Sequence, residues 1–171
     1  RPTRQYMLNK LEGLGPSNPE AYSALASNPV VAQNLDEHKP KVRPMLLRLA
    51  YEACGGTEWE RVLAAGAAAE FVNVASYLVN ALHDGKAHGG KAIPADQQIL
   101  FGFVLRDLAT RCLQDVSLPL TSSACMRMHT LLSETVIQGC LGQYQDIYQL
   151  QVGRLSDGSM DFRQALTLYE D

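Results

Sequence analysis

Apolar and polar positions follow a helical period over most of the chain, most clearly between Thr57 and Asp84. Thr57 and Glu60 stand at the two ends of a capping-box sequence, and an alanine-rich run that favours helix follows. Apolar residues surround this segment on nearly every side, as in a buried helix. We therefore predict a central helix over 57–84, about 40 Å long. The core residues expected on it are Phe71, Val74, Leu78 and Val79.

One polar row runs along this predicted helix at steps of three and four residues: Glu70, Asn73, Tyr77, Asn80 and Asp84. The spacing by itself is typical of a solvated face. The apolar residues on both sides favour a second interpretation, in which the row points inward and its polar groups need partners or a ligand. Both interpretations are open at this point.

The rest of the chain also shows helical periods, separated by glycine and proline. The expected helices are a short one that Gly15-Pro16 ends, a turn or two before Asn28-Pro29, and longer ones from Pro44 to Ala53, Asp96 to Leu113, Ser122 to about Val152, and Ser159 onward. No alternating segment is strong enough to compete as a strand. The sequence predicts an all-α fold.

The last predicted helix reaches Asp171 without a glycine, a proline or a basic last turn, which are the usual stop signals. A length of 171 residues suits one domain. We expect residues 1–171 to form a single α-helical domain that is truncated at its C-terminus, with the natural chain continuing. A native tail that frays is the alternative.

Composition narrows the class of protein. The hydrophobic content of 46% is not that of a disordered chain, and the net charge of −3 provides no footprint for nucleic acid. We find no apolar run of membrane-spanning length and no secretory signal, so we expect a cytoplasmic protein without a membrane span. The scattered cysteines predict reduced, mostly buried thiols: Cys54, Cys112, Cys125 and Cys140.

Five short segments, in order and at family-like spacing, resemble the trans-isoprenyl diphosphate synthases of the polyprenyl synthetase family. They are Lys41–Pro44 beside the family's G-K-x-x-R-P, Glu70–Ser76 beside E-L-I-H-x-x-S, Arg106-Asp107 beside G-D, Gly142–Asp146 beside G-Q-x-x-D, and Leu168–Glu170 before the family's K-T. The resemblance covers about residues 38–171. It implies an antiparallel helix bundle of the isoprenoid-synthase type, of which this chain would hold the N-terminal part.

The same resemblance implies a set of site residues. In the family, the basic residues of G-K-x-x-R-P hold the diphosphate of the homoallylic substrate. The substrate-binding positions implied here are Lys41, Arg43, Asn73, Asn80, Gln143 and Asp146, and the metal-binding position is Asp84. For Gln143 and Asp146, a buried hydrogen-bonded pair is an equal alternative. No catalytic residue is assigned.

The departures from the family pattern concern its chemistry. The first DDxxD motif falls on Asn80 to Asp84, where Ala81 offers no ligand and Asn80 only a neutral amide. In the family these carboxylates hold magnesium on the allylic diphosphate, a role that requires anionic oxygens. The Gly-Lys ahead of Arg43 is also absent, and Gly89-Gly90-Lys91 replaces an arginine pair and glycine.

We therefore expect a protein of isoprenoid biosynthesis that binds isoprenoid diphosphates but transfers prenyl groups weakly or not at all. It would act as a homo-oligomer or as the partner or regulatory subunit of a related active enzyme, with magnesium as cofactor only if it is active. The first alternative is an active, atypical prenyltransferase that condenses an allylic diphosphate with isopentenyl diphosphate. The second is a helical scaffold without a ligand.

The residues suggest two other chemistries. His83, Asp84 and His88 form a cluster that suits zinc or a similar ion. Its spacing and glycine-rich surroundings favour instead an exposed histidine pair near a helix C-terminus. Ser76 and Ser122 lack a sequence context that suggests a catalytic triad.

Overall fold

The computed structural model of the protein describes residues 2–83, 94–116 and 120–149, including all their side chains except those of His83, Tyr148 and Gln149. Every regular element in these ranges is helical, which confirms the all-α prediction. The chain divides into two compact units, Arg1–Met128 and His129–Asp171. The single-domain expectation stays a prediction.

The described residues of the first unit form six α-helices and the start of a seventh. They are α1 (Pro2–Glu12), α2 (Pro19–Ser27), α3 (Pro29–Leu35), α4 (Val42–Ala53), α5 (Leu63–His83), α6 (Ala95–Gln114) and α7 (Ser122–Tyr144). In the second unit, the described part is the remainder of α7 and a π-helical turn, Gln145–Gln149. The helix predicted from Ser159 lies outside the described residues.

Helix α5 lies at the centre of the first unit, with α1, α3, α4 and α6 packed against it. Phe71, Val74 and Leu78 are buried, as predicted. The predicted burial of Val79 is wrong, because this residue lies at the edge of the α5–α6 contact and is 38% exposed. Its Cγ2 atom is 3.6 Å from the position that a Cβ of Gly102 would take. Since α5 is apolar nearly all round, the helical period does not separate its packed side from this edge.

The start of the central helix also differs from the prediction. A 3₁₀ helix, Trp59–Val62, precedes α5, and Glu58 before it makes no side-chain capping bond. Its carboxylate instead accepts a 2.7 Å hydrogen bond from Arg61. The buried indole of Trp59 lies against Gly66, where an added Cβ would be 3.2 Å from its Cη2 atom. This packing favours a tight turn over an early α-helical start, and α5 is about 31 Å long.

Between α2 and α3, the predicted loop is a single residue. Asn28 caps α3 by accepting hydrogen bonds from the amides of Val30 (3.0 Å) and Val31 (3.3 Å), and Pro29 occupies the first helical position. Proline suits that position because the amide it lacks has no intrahelical partner there. The sequence break therefore marks a change of helix direction without a connecting loop.

The segment Trp59–Leu82 has 24 residues, and its most apolar window of 18 residues has a mean hydropathy of 1.6, so it passes for a membrane span by length and composition. The expectation that no apolar run reaches this length is wrong for this segment. Within the fold, 67% of its most apolar window is buried, which is also typical of the core helix of a soluble protein. The absence of a membrane span and the cytoplasmic location both stay predictions.

Several apolar residues of the first unit face outward. On α4 the exposed set is Val42, Met45, Leu46 and Leu49, and on α6 it is Ile99, Leu100, Phe103 and Val104. Helix α4 packs inward through Pro44, so this apolar set is on its outer side. The prediction of mostly buried thiols is wrong, since only Cys112 is buried and the other three cysteines are exposed.

Candidate anion-binding cleft

A basic cleft of about 270 Å³ opens where α1, the segment 36–41 and the start of α4 meet. Its cationic lining is Arg4, Lys39, Lys41 and Arg48, with the imidazole of His38 beside them, and Asp36 and Glu37 add negative charge. Pro44 and Trp59 supply part of an apolar wall. Clustered lysine and arginine side chains of this kind are suited to an oxyanion.

Hydrogen bonds within the segment 36–41 hold the ammonium of Lys41. Its Nζ donates to the carbonyl oxygens of Asp36 (3.2 Å) and Lys39 (3.0 Å). The Asp36 carboxylate accepts a 2.7 Å bond from the amide of His38, which closes the turn. The chain therefore curls around the ammonium of Lys41 and places it in the wall of the cleft.

Lys39 is held from two sides. Its Nζ donates a 2.7 Å hydrogen bond to Oδ1 of the buried Asn34, and it lies 5.6 Å from the centre of the Tyr77 ring. A cation at this distance from an aromatic face is attracted by the ring quadrupole. Arg4, on α1, donates to the carbonyl of Leu35 and so joins the same wall. Three separate helices thus fix the positions of the cations.

Glu70 is the buried acid of this region. It is 3% exposed, and its Oε2 atom accepts no hydrogen bond among the residues that the structure describes. Burial raises the pKa of Glu70, and this outweighs the opposing effects of the charges of Lys41, Arg43 and Lys39 and of the Asn73 side-chain hydrogen bond. Burial likewise lowers the pKa of Lys41, against the attraction of Glu70.

Three of the predicted substrate-binding residues interact with the cleft or with Glu70. Lys41 lines the cleft, exposed Arg43 acts electrostatically on Glu70, and buried Asn73 hydrogen-bonds to Glu70. Half-buried Asn80 does not join them, because it lies about 15 Å further along α5 than Glu70.

The other predicted site residues are placed as follows. Asp84 lies outside the described residues, as does His88. Gln143 and Asp146 belong to the second unit, where Gln143 is half-buried and Asp146 is exposed, so a buried pair of the two is not observed. Ser76 uses its hydroxyl to donate a 3.0 Å bond to the carbonyl of Val72.

A magnesium site is poorly supported by the donors that the structure describes. No cluster of three histidine, cysteine or acidic side chains occurs among those residues. Ala81 is 5% exposed, so the second position of the DDxxD-like segment is a packed methyl group, and Asn80 supplies no charge. These residues do not fit the ion that the resemblance implies.

The polar row of the central helix is neither solvated nor buried along its whole length. Glu70 and Asn73 are buried, whereas Tyr77 is 50% exposed. Sequence reasoning also gave no role to Arg4, which lines the cleft, or to Asn34, which accepts a hydrogen bond from the cleft residue Lys39. The one available signal was Glu70 itself, an acid inside an alanine-rich apolar run.

Comparison of the chain with protein-family models, with curated proteins and with solved structures finds no match. The resemblance to the polyprenyl synthetase family therefore rests on the motif residues themselves.

Proposed function

We propose that this chain is a polyprenyl synthetase-like protein that binds isoprenoid diphosphates and has little or no prenyl transfer of its own. In this proposal it has the isoprenoid-synthase type of helix bundle and acts as the partner or regulatory subunit of a related active enzyme. The observation that carries the proposal is the convergence of Lys41, Arg43 and Asn73 around Glu70, beside a basic cleft. The resemblance assigns diphosphate contacts to Lys41 and Arg43.

The charges of the cleft suit a diphosphate. An arginine can present two parallel donors to a phosphate, and a lysine supplies a compact positive charge. Lys39 and Lys41 are already positioned by Asn34 and by backbone carbonyls, so little side-chain freedom is lost when an anion binds. The apolar residues of the wall, Pro44 and Trp59, leave room for the hydrocarbon part of the ligand on the same side.

Weak or absent transfer follows from the DDxxD-like segment. Prenyl transfer requires a leaving diphosphate to be neutralised while positive charge develops on carbon. With a neutral amide at Asn80 and a buried methyl at Ala81, the described residues supply no anionic metal ligand there. Each 1.4 kcal/mol of lost transition-state stabilisation slows a reaction about tenfold.

A partner subunit is supported by the exposed apolar residues of α6, Ile99, Leu100, Phe103 and Val104. A contiguous exposed apolar face is typical of a protein interaction surface. We propose that a related synthase subunit, or a second copy of this chain, packs against this face.

The test of ligand binding is titration calorimetry with isopentenyl diphosphate. We expect saturable binding by the natural sequence and at least about tenfold weaker binding by Lys41→Met and by Arg43→Met, because each removes a charge-assisted contact of about 1.5–3 kcal/mol. The matched control is Arg111→Met, an exposed arginine in the last turn of α6. No binding by the natural chain, or equal loss in the control, contradicts the proposal.

The test of activity is a prenyl-transfer assay with magnesium, an allylic diphosphate and isopentenyl diphosphate. We expect turnover far below about 1 per second, the lower end of ordinary enzyme rates. Turnover at or above that rate contradicts the non-catalytic role and supports the atypical prenyltransferase.

A further inference from the structure

The carboxyl group of Glu70 is a buried titratable group to which the proposed function gives no task. It lies on the central helix with its Oε2 atom free of hydrogen bonds among the described residues, although its other interactions include Asn73. A buried carboxylate oxygen without a donor is unfavourable when charged and becomes more favourable when it binds a proton.

The charged groups that act on this carboxyl lie in the segment 39–43, in which Lys39 and Lys41 line the cleft. Lys41, Arg43 and Lys39 favour its ionised form. Lys41 is in turn affected by Arg4 of α1 and by Asp36. Glu70 therefore stays ionised only to the extent that these cations compensate for its burial.

Contacts with cleft-lining residues bracket Glu70 on one face of α5. One turn before it, Pro44 and Trp59 pack at Gly66, and two turns after it, Lys39 lies over the ring of Tyr77. Lys41 lines the cleft, whereas Glu70 is almost inaccessible and does not. An anion that enters the cleft adds negative charge beside Lys41. The electrostatic balance at Glu70 then shifts toward its neutral form, since a like charge nearby disfavours a carboxylate.

We propose that Glu70 is the internal counter-ion of the basic cleft and takes up one proton from solvent when a doubly charged oxyanion binds beside Lys41. In the empty cleft the carboxylate balances the cations. In the occupied cleft the ligand takes over that task, and the proton resides on a Glu70 oxygen. The coupling makes the affinity for a dianion rise as the pH falls. It rests on the proposed function in so far as the same cleft binds the diphosphate.

The size of the effect follows from linkage. Uptake of one proton per ligand makes the dissociation constant change by up to about tenfold per pH unit, between the pKa values of the free and the occupied protein. Sulfate is the suitable probe, because it stays doubly charged from about pH 5 to about pH 8, whereas a diphosphate titrates there itself.

His38 also lines the cleft, and a histidine can take up a proton near neutral pH. The experiment therefore uses His38→Asn as its background. Sulfate is titrated into this protein by calorimetry in two buffers of different ionisation enthalpy, and the difference in heat gives the number of protons bound. We expect uptake approaching one proton, with affinity that rises toward low pH.

The decisive comparison is His38→Asn with and without Glu70→Gln. We expect the added Glu70→Gln to abolish both the proton uptake and the pH dependence of affinity. The matched control is Glu60→Gln, an exposed acid that does not line the cleft, and it should keep both. Unchanged uptake after Glu70→Gln, or none before it, overturns the proposal.

A second measurement uses only the natural protein, so it does not depend on the folding of a variant. Infrared difference spectra of the natural protein with and without sulfate should gain a protonated carboxyl band at constant pH. The absence of that band at saturation overturns the coupling. If isopentenyl diphosphate binds but sulfate causes no proton uptake, only the coupling fails; if neither anion binds, the proposed function fails as well.

Discussion

The ammonium of Lys39 donates a 2.7 Å hydrogen bond to Oδ1 of Asn34, and the amide nitrogen of the same Asn34 side chain donates 2.8 Å to the carbonyl of Val30. Asn34 is 2% exposed. One buried amide thus connects the interior of α3 with a cation of the cleft. A change at this position should affect both stability and ligand binding.

Asn34→Leu keeps the approximate volume and removes both hydrogen bonds. We expect the free energy of unfolding to fall by about 1–3 kcal/mol, because Lys39 loses a buried acceptor. Urea denaturation measures this. Asn9→Leu is the control: exposed Asn9 accepts a 2.9 Å bond from Gln5, and its loss should change stability by less than about 0.5 kcal/mol. Equal stability of Asn34→Leu and the natural protein would contradict this role.

Glu70→Gln should stabilise the protein at neutral pH, on the order of 1 kcal/mol, because it removes a buried charge while keeping the shape. The raised pKa of Glu70 means that the folded state binds the proton more tightly than the unfolded state. The buried charge therefore lowers the free energy of unfolding as the pH rises above the pKa of the unfolded state, and fully once the pH passes the pKa of the folded state. In acid, where the carboxyl is protonated in both states, this cost vanishes. Unfolding curves of both proteins at pH 7 and in acid test this. A gain that persists in acid would be inconsistent with the explanation.

Asp115 should show the opposite pH dependence. Hydrogen bonds from Lys10 and Tyr6 hold its pKa below the usual range, and they join α1 to the end of α6. A lowered pKa stabilises the fold above the unfolded value, about 3.9, and this contribution is lost as the pH falls through the folded value. Asp115→Asn should cost about 0.5–1 kcal/mol at pH 7, because the pair is partly exposed, and nothing at low pH. An equal cost at both pH values would rule out an electrostatic origin.

The core of α5 was predictable from sequence, because Phe71, Val74 and Leu78 recur at helical spacing in a long segment without strong breakers. Local sequence signals did not predict the features that depend on tertiary packing. The capping-box sequence at Thr57 predicted an α-helical start, but the packing of Trp59 against Gly66 favours a 3₁₀ turn there. Lys41 and Arg43 were indicated by the resemblance to the family's G-K-x-x-R-P segment, and Lys41 lines the cleft.

The remaining cleft residues carried no comparable signal. Arg4 joins the wall through a contact with Leu35, 31 positions away in the chain, and no periodicity in the sequence encodes that distance. Asn34 reaches Lys39 across the turn between α3 and α4. The charge balance at Glu70 could not be predicted without knowing that this residue is buried, and the apolar sequence around it indicates that burial only in part.

The four cysteines should react in two classes. Cys112 is buried, and its surroundings raise the pKa of its thiol to about 11, with burial as the largest cause. Because the thiolate is the reactive form, Cys112 should resist alkylation in the folded protein. Mass spectrometry after iodoacetamide treatment should find three modified sites, Cys54, Cys125 and Cys140, and a fourth only in denaturant. Comparable labelling of Cys112 in the folded state contradicts its burial.

A charge on the outer face of α6 should weaken subunit association. Phe103 is 56% exposed there, and Phe103→Arg places a cation where we propose apolar contact. Sedimentation should show a dissociation constant at least about tenfold higher, which corresponds to 1.4 kcal/mol. Exposed Gln33 lies on α3, away from this apolar set, and Gln33→Arg should have little effect. Leu49→Arg on α4 tests the other exposed face; if it alone disrupts association, α4 is the interface.

The chain has a single tryptophan, and Trp59 lines the basic cleft while its indole packs on Gly66 of the central helix. The chain therefore has one indole fluorophore, in the wall of the cleft. A ligand that enters there changes the polarity around the indole, so its emission can follow occupancy without an attached dye. The same signal reports when the 3₁₀ turn separates from α5 during unfolding.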